Sequence, residues 1–166
     1  MATLPNDPQN QANFAVKVIP SDTINIPQPY IKANRINTSF IGATLIDGSA
    51  QFEGVGTSIP AVQPGDTVYN ETTDDIATVV SVDSNTQLTL SAAIFTATPE
   101  EYTIYQTNPE ANAFLLYVGT GGDINIETSA QLSVIMKNVG DASFIPINVG
   151  RVNSSLTTAS DIIALM

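Results

Sequence analysis

Apolar and polar residues alternate in short runs along most of this chain, and the runs are closed by Pro, Gly, Asp and Asn rather than by helix caps. A period of two over four to eight residues marks strands with one face buried. Phe14, Val16 and Val18 alternate with Ala15, Lys17 and Ile19 until Pro20 ends the ladder, as in a strand suited to a sheet edge. Further on, Thr44-Leu-Ile-Asp-Gly48 carries an Asp-Gly turn. Pro64-Gly-Asp-Thr-Val68 opens a strand, and Ile76-Ala-Thr-Val-Val-Ser-Val82 is rich in β-branched residues. Asp83-Ser-Asn-Thr86 turns the chain into the alternating Gln87-Leu-Thr-Leu-Ser91, and Tyr102-Thr-Ile-Tyr105 closes this group.

The last third repeats the theme. Ala113 to Val118 reads as a strand, Gly119-Thr-Gly-Gly122 as a hairpin turn that uses positive φ, and Asp123 to Ile126 as the returning strand. Leu132-Ser-Val-Ile-Met136 is another strand. Ser143 to Arg151 contains Pro146, which places it on an edge or gives it a bulge. Ser160 to Met166 fits a final buried strand, and no segment carries a helical stripe. Residues 1–13, with Pro5, Pro8 and a run of Asn and Gln, cannot bury enough surface to fold alone and are expected to form an extended arm.

Two segments stand apart from the rest: the strand ending in Pro20-Ser21-Asp22-Thr23, and the region from Leu115 to the end. The latter holds Leu116-Tyr117-Val118-Gly119-Thr120-Gly121-Gly122, then Lys137-Asn138-Val139 as a turn, Phe144-Ile145-Pro146, and Thr157 to Leu165. In order and spacing these motifs resemble a family of small surface proteins of tailed-bacteriophage virions and related gene-transfer particles. Two features depart from that pattern: the turn Gly140-Asp141-Ala142-Ser143, and Met166 where an aromatic is common. The resemblance covers about half of the chain. It implies a non-enzymatic structural protein that decorates or cements a capsid, or forms the base of a surface spike or fibre, with the major capsid protein or a spike or fibre protein as partner.

The expected architecture is therefore all-β. A small antiparallel sandwich or barrel over 14–26 and 111–166 is interrupted at 27–110 by an inserted small β-barrel similar to SH3-like modules, with Pro27-Gln-Pro29 and Pro109 near its joins. A structural protein of this kind needs contact area rather than a site, and a closed cyclic homo-oligomer supplies it, a trimer before a pentamer. The alternative function is a host-surface or carbohydrate-binding module on the virion.

Composition narrows the chemistry further. The chain has no histidine and no cysteine, so Cys/His zinc sites, Cys nucleophiles and Ser-His relays have no residues to build them. Sixteen acids against five bases give a formal charge of −11, which repels a phosphate backbone and argues against nucleic acid as a partner. No apolar run reaches the roughly 20 residues that span a bilayer, and Met1 to Asn10 lacks the character of a signal peptide, so no membrane is expected and synthesis in a host bacterial cytoplasm is. Some residues invite sharper readings. Asp66, Asp74, Asp75 and Asp83 could gather round calcium, but Asp at these points is ordinary turn chemistry. Glu53, Glu100 and Glu101 could supply a glycosidase pair, and the absence of Trp leaves few platforms for sugars. Asn37, Asn70 and Asn153 each begin a glycosylation triplet. Tyr102, Tyr105 and Phe95 read as a recognition patch or, more simply, as half-buried tyrosines beside a core Phe95 and Ile104. No catalytic, cofactor or metal residue is assigned.

Overall fold

The computed structural model describes Ala12, residues 14–110 and residues 113–166. Apart from Ala12, the expected arm over 1–13 lies outside the described residues. Those residues contain no helix and thirteen strands: β1 Ala15–Lys17, β2 Ile31–Ile36, β3 Ser39–Ile41, β4 Thr44–Ile46, β5 Thr67–Asn70, β6 Asp75–Ser84, β7 Gln87–Leu90, β8 Glu101–Tyr105, β9 Phe114–Thr120, β10 Gly122–Thr128, β11 Ser133–Val139, β12 Ser143–Asn153 and β13 Ser160–Leu165. They form two sheets, and every strand pairing is antiparallel, so the fold is all-β as the alternation requires.

The six-stranded sheet runs β1-β13-β9-β12-β10-β11 and draws its strands from 15–17 and 114–165. The seven-stranded sheet runs β2-β8-β5-β6-β7-β4-β3 and comes entirely from 31–105. β2 and β3 are the two ends of that second sheet, yet only Asn37 and Thr38 separate them. Ile36 and Ser39 are three residues apart, so the ends cannot be more than about 11 Å from each other. The sheet must curl into a barrel, and the ten-residue β6, whose register slips at Val79/Ser81 and Val82/Ser84, supplies the bend.

Each sheet encloses its own core. Phe114, Leu116, Val118, Ile124, Ile126 and Ile145 pack inside the first, joined by Val18 and Ile26 from the N-terminal segment. Leu45, Phe52, Val68, Leu88, Tyr102 and Ile104 pack inside the second. Burying one such side chain contributes about 1.5–3 kcal/mol before entropy is counted. A third, small cluster joins the two: Val16 and Ile19 beside β1 meet Tyr69 of β5, with Ile76 and Tyr105 against them. Around it, Asn25 Nδ2 donates to the Asn108 carbonyl at 3.1 Å, Asn108 Nδ2 to the Ile26 carbonyl at 2.9 Å, and Lys17 pairs with Asp74.

Two local expectations are corrected. Gly119 to Gly122 is not a hairpin turn: β9 lies between β13 and β12, while β10 lies between β12 and β11, so the chain crosses over instead of returning. The glycines there answer to close approach. A Cβ on Gly121 would sit 2.3 Å from the Val139 carbonyl oxygen and 2.8 Å from the Gly140 carbonyl carbon, and one on Gly119 would meet the Asp161 Cβ at 2.8 Å. Lys137-Asn138-Val139 is the end of β11, not a turn, and the positive φ of Asn138 marks an irregularity where β11 slips against β10. The expectation that Pro146 lies on an edge or in a bulge holds, because pairing with β9 breaks between Ile145 and Val149 and β10 pairs with β12 only from Val149 onward. β2 and β3 were not anticipated at all.

Candidate interaction surface

The residues singled out for chemistry are dispersed and already committed. Asp66 is buried, and its carboxylate accepts from Lys32 Nζ and the Gln63 amide, both at 2.7 Å, and from the Thr107 amide at 3.2 Å. Asp74 pairs with Lys17, Asp75 accepts from Thr73 Oγ1, and Asp83 accepts from Ser81 and Thr89. Among the described residues no three acids approach closely enough to hold a metal ion together. Glu100 is buried: loss of water pushes its carboxyl up, but bonds from the Thr96 amide and hydroxyl and from Asn70 more than offset this and hold it below the ordinary range. Glu53 and Glu101 are exposed elsewhere on the barrel. Asn37, Asn70 and Asn153, the triplet asparagines, are all buried; Asn37 caps Glu100 by accepting its amide at 2.8 Å.

Tyr102 is not half-buried but fully enclosed, stacked edge-on against Phe95 at 6.1 Å. Its hydroxyl donates to Asp47 Oδ2 at 2.8 Å, beside Arg35 Nε at 2.6 Å, while the Ser49 amide and hydroxyl both donate to Oδ1 at 2.9 Å. Burial of Asp47 opposes its charge, but Arg35 and the Ser49 amide lead the set that keeps the carboxyl below its usual value; burial pushes the Tyr102 phenol up. Sequence reasoning missed this cluster, because Asp47-Gly48 reads only as a turn and Arg35 and Tyr102 lie 12 and 55 residues away in the chain. A cavity of about 190 Å³ opens beside it, between β2 and the 49–62 loop. That is below the roughly 300 Å³ typical of small-molecule sites, and the two cations on its wall, Lys32 and Arg35, are held by Asp66 and Asp47.

The same accounting holds over the whole protein. All five bases are in ion pairs: Lys17–Asp74, Lys32–Asp66, Arg35–Asp47, Lys137–Asp123 and Arg151–Glu127. Of the fifteen acids among the described residues, these five partners leave ten without a cation. No lysine or arginine stands free to meet an anionic ligand or a phosphate backbone.

What is left uncovered is apolar. On the outer face of the six-stranded sheet the registers align two rows across strands: Ala15, Leu165 and Leu115 in one, and Lys17, Ile163, Tyr117 and Phe144 in the other. Phe144 is 66 % exposed and Leu115 46 %, and the Tyr117 and Phe144 rings lie 5.2 Å apart. An aligned set of large side chains on the solvent side of a sheet is unlike single exposed hydrophobics and marks a contact surface. The inward residues of the same strands, Leu116, Val118, Ile162 and Ala164, fill the core, so the apolar outer face is not a by-product of burial.

The motifs quoted from the two ends of the chain meet in this sheet. Asp22 accepts from the Ser155 amide at 3.0 Å and from the Ser154 and Ser155 hydroxyls at 2.9 and 2.8 Å, across up to 133 residues, and these bonds lower its carboxyl pKa. Thr120 Oγ1 donates to Asp161 at 2.7 Å, and Gly119 leaves the room that Asp161 needs. Compared with known proteins, the chain matches no family model, no curated protein and no solved structure.

Proposed function

We propose that the protein is a non-enzymatic structural component of a tailed-bacteriophage virion, seated at the particle surface through the outer face of its six-stranded sheet and carrying the seven-stranded barrel as an appended module. The observation that carries this reading is the aligned apolar face of Leu115, Tyr117, Phe144, Ile163 and Leu165. A protein with every lysine and arginine paired, and ten of its described acids without a cation, has little to offer a polyanion, whereas an exposed apolar face suits a protein neighbour. The resemblance of the motifs around Tyr117 to Gly122, Phe144 to Pro146 and Asp161 to Leu165 supports the choice of neighbour, a capsid or spike protein. Those motifs are the ones that build and flank the apolar face.

The test replaces Phe144 and Leu115 with Asp, singly and together, in the gene of the producing particle. Both side chains are exposed, so folding should survive, as circular dichroism would report. The expected result is particles that lack the protein by mass spectrometry. Full occupancy by the double variant would remove the apolar face from the mechanism.

A further inference from the structure

We propose that β11 is the self-association edge of this protein: it pairs antiparallel with the β11 of a second copy about a twofold axis at Ile135, merging two six-stranded sheets into one. This inference is independent of the virion reading, since it concerns the free protein and a different edge of the sheet.

Among the described residues β11 is the terminal strand of its sheet and pairs with β10 alone. The direction of its backbone groups follows from its neighbours. The Thr128 amide donates to the Leu132 carbonyl at 2.9 Å, so in the unbroken register that follows Val134 and Met136 also face β10. Ser133 and Ile135 therefore turn their N–H and C=O groups outward, away from β10. A seven-residue edge of this kind is a template for another strand unless charge, proline or a cover blunts it. Here proline is absent, and the single charge, Lys137, is drawn back onto Asp123 of its own chain at 2.7 Å.

The side chains favour a second copy over a foreign strand. Leu132, Val134 and Met136 lie on the core side, since Ile126 and Ile124 opposite Val134 and Met136 are fully buried. Yet Leu132 is 64 % and Val134 40 % exposed, so the core of this sheet is open at its β11 margin. A twofold axis at Ile135 puts Val134 opposite the partner's Met136 and thereby closes both open margins with one another. It also pairs outward-facing groups correctly, since Ile135 meets Ile135 across the axis with its backbone groups turned away from β10 on both chains. An axis at Val134 or Met136 would instead oppose residues whose backbone groups are already bonded to β10. The assembly proposed through this edge is a twofold dimer, distinct from the trimer or pentamer expected from the sequence.

The test uses the full chain. Sedimentation velocity at about 100 μM should show a dimer, and Ile135→Lys, which sets like charges face to face at the axis, should show a monomer with an unchanged circular dichroism spectrum. The chain has no cysteine, so Ile135→Cys supplies its only thiol. A short bis-maleimide, which covers the roughly 5.5 Å between directly opposed hydrogen-bonded residues, should join two such chains at least tenfold faster than it joins Ile41→Cys, a more exposed position on β3. A monomeric or trimeric wild type, an Ile135→Lys variant that stays dimeric, or equal coupling at 135 and 41 would each overturn the proposal.

Discussion

Asp47 and Tyr102 should behave as one energetic unit, and a double-mutant cycle measures it. The carboxylate is fully buried and receives four bonds, from Tyr102, Arg35 and twice from Ser49. Tyr102→Phe removes one of them and leaves Asp47 with three donors. A hydrogen bond to a charged group contributes about 1.5–3 kcal/mol, and the lower end, about 1.5–2 kcal/mol, applies where the charge keeps other partners. Asp47→Ala does more. It leaves the Tyr102 hydroxyl with no exposure and no acceptor, a desolvation cost of about 1–3 kcal/mol, while Arg35, whose side chain is 37 % exposed, turns to water at little cost. The expected loss is about 3 kcal/mol. In the double variant there is no hydroxyl to strand, so its destabilisation should fall about 1.5–2 kcal/mol short of the sum of the singles. Urea unfolding followed by tyrosine fluorescence and far-UV circular dichroism, with m-values held constant, gives all four corners of the cycle. Additivity within about 0.5 kcal/mol would mean that the two groups act independently and that the network does not hold the barrel.

Gly121→Ala should destabilise the protein by more than 2 kcal/mol, since its Cβ would strike backbone atoms that cannot swing away, whereas Gly56→Ala, with open space around it but a φ of +52°, should cost only about 1 kcal/mol of backbone strain; thermal melts compare them directly. Deleting 30–109 with a short linker should leave a cooperatively folding β protein of lower stability, because Val16 and Ile19 lose Tyr69; a non-cooperative melt would show that the six-stranded sheet depends on the barrel. Stability should be level between about pH 5.5 and 8, where no histidine titrates, and should fall below about pH 4. The carboxyls of Asp22, Asp47, Asp83, Glu100 and Asp123 are all depressed in the folded state, so the stability they add is complete above their unfolded values and lost as pH drops through the folded ones; a step in the urea midpoint near pH 6–7 would contradict this.

Strands were legible where one face is wholly apolar and the turns are chemically marked. β6 and β7, with Val79, Leu88 and Leu90 inward and Asp83 to Thr86 at the bend, are the plainest case. β2 was hidden because its pattern is compromised by function within the fold: Ile31 and Ile36 point out, and Lys32 and Arg35 serve the buried Asp66 and Asp47. Nothing local distinguishes such a strand from a loop, since the partners that make its polar residues acceptable lie 34 and 12 positions away. The Gly119 to Gly122 error has a related origin. Glycine signals either a left-handed turn or a close approach, and only the position of β12 between β9 and β10 decides which. The apolar outer face was equally invisible, because alternation marks two faces but does not say that the second is also hydrophobic until Leu115, Tyr117, Ile163 and Phe144 are brought into register.

The two sheets solve the problem of specificity differently, and the contrast bears on what each does. The six-stranded sheet buries two asparagines beside an otherwise apolar core, Asn125 and Asn153, and spends its remaining apolar residues on an outer face. In the barrel, three carboxylates, Asp47, Asp66 and Glu100, lie inside, each tying loop amides or hydroxyls to the strands: Asp47 joins Ser49 to Arg35 and Tyr102, Asp66 joins Gln63 and Thr107 to Lys32, and Glu100 joins Thr96 to Asn70. A buried carboxylate adds little net stability compared with a hydrocarbon of the same size, because desolvation consumes most of its attraction. Its effect is to make one loop conformation far better than the alternatives. The barrel is thus built to hold the 47–66 and 91–100 loops in fixed positions, and a surface already fixed loses little entropy when something binds it. Exposed apolar area in one sheet and preorganised loops in the other are complementary properties, and they are what the proposed role, anchored by one half and presented by the other, requires.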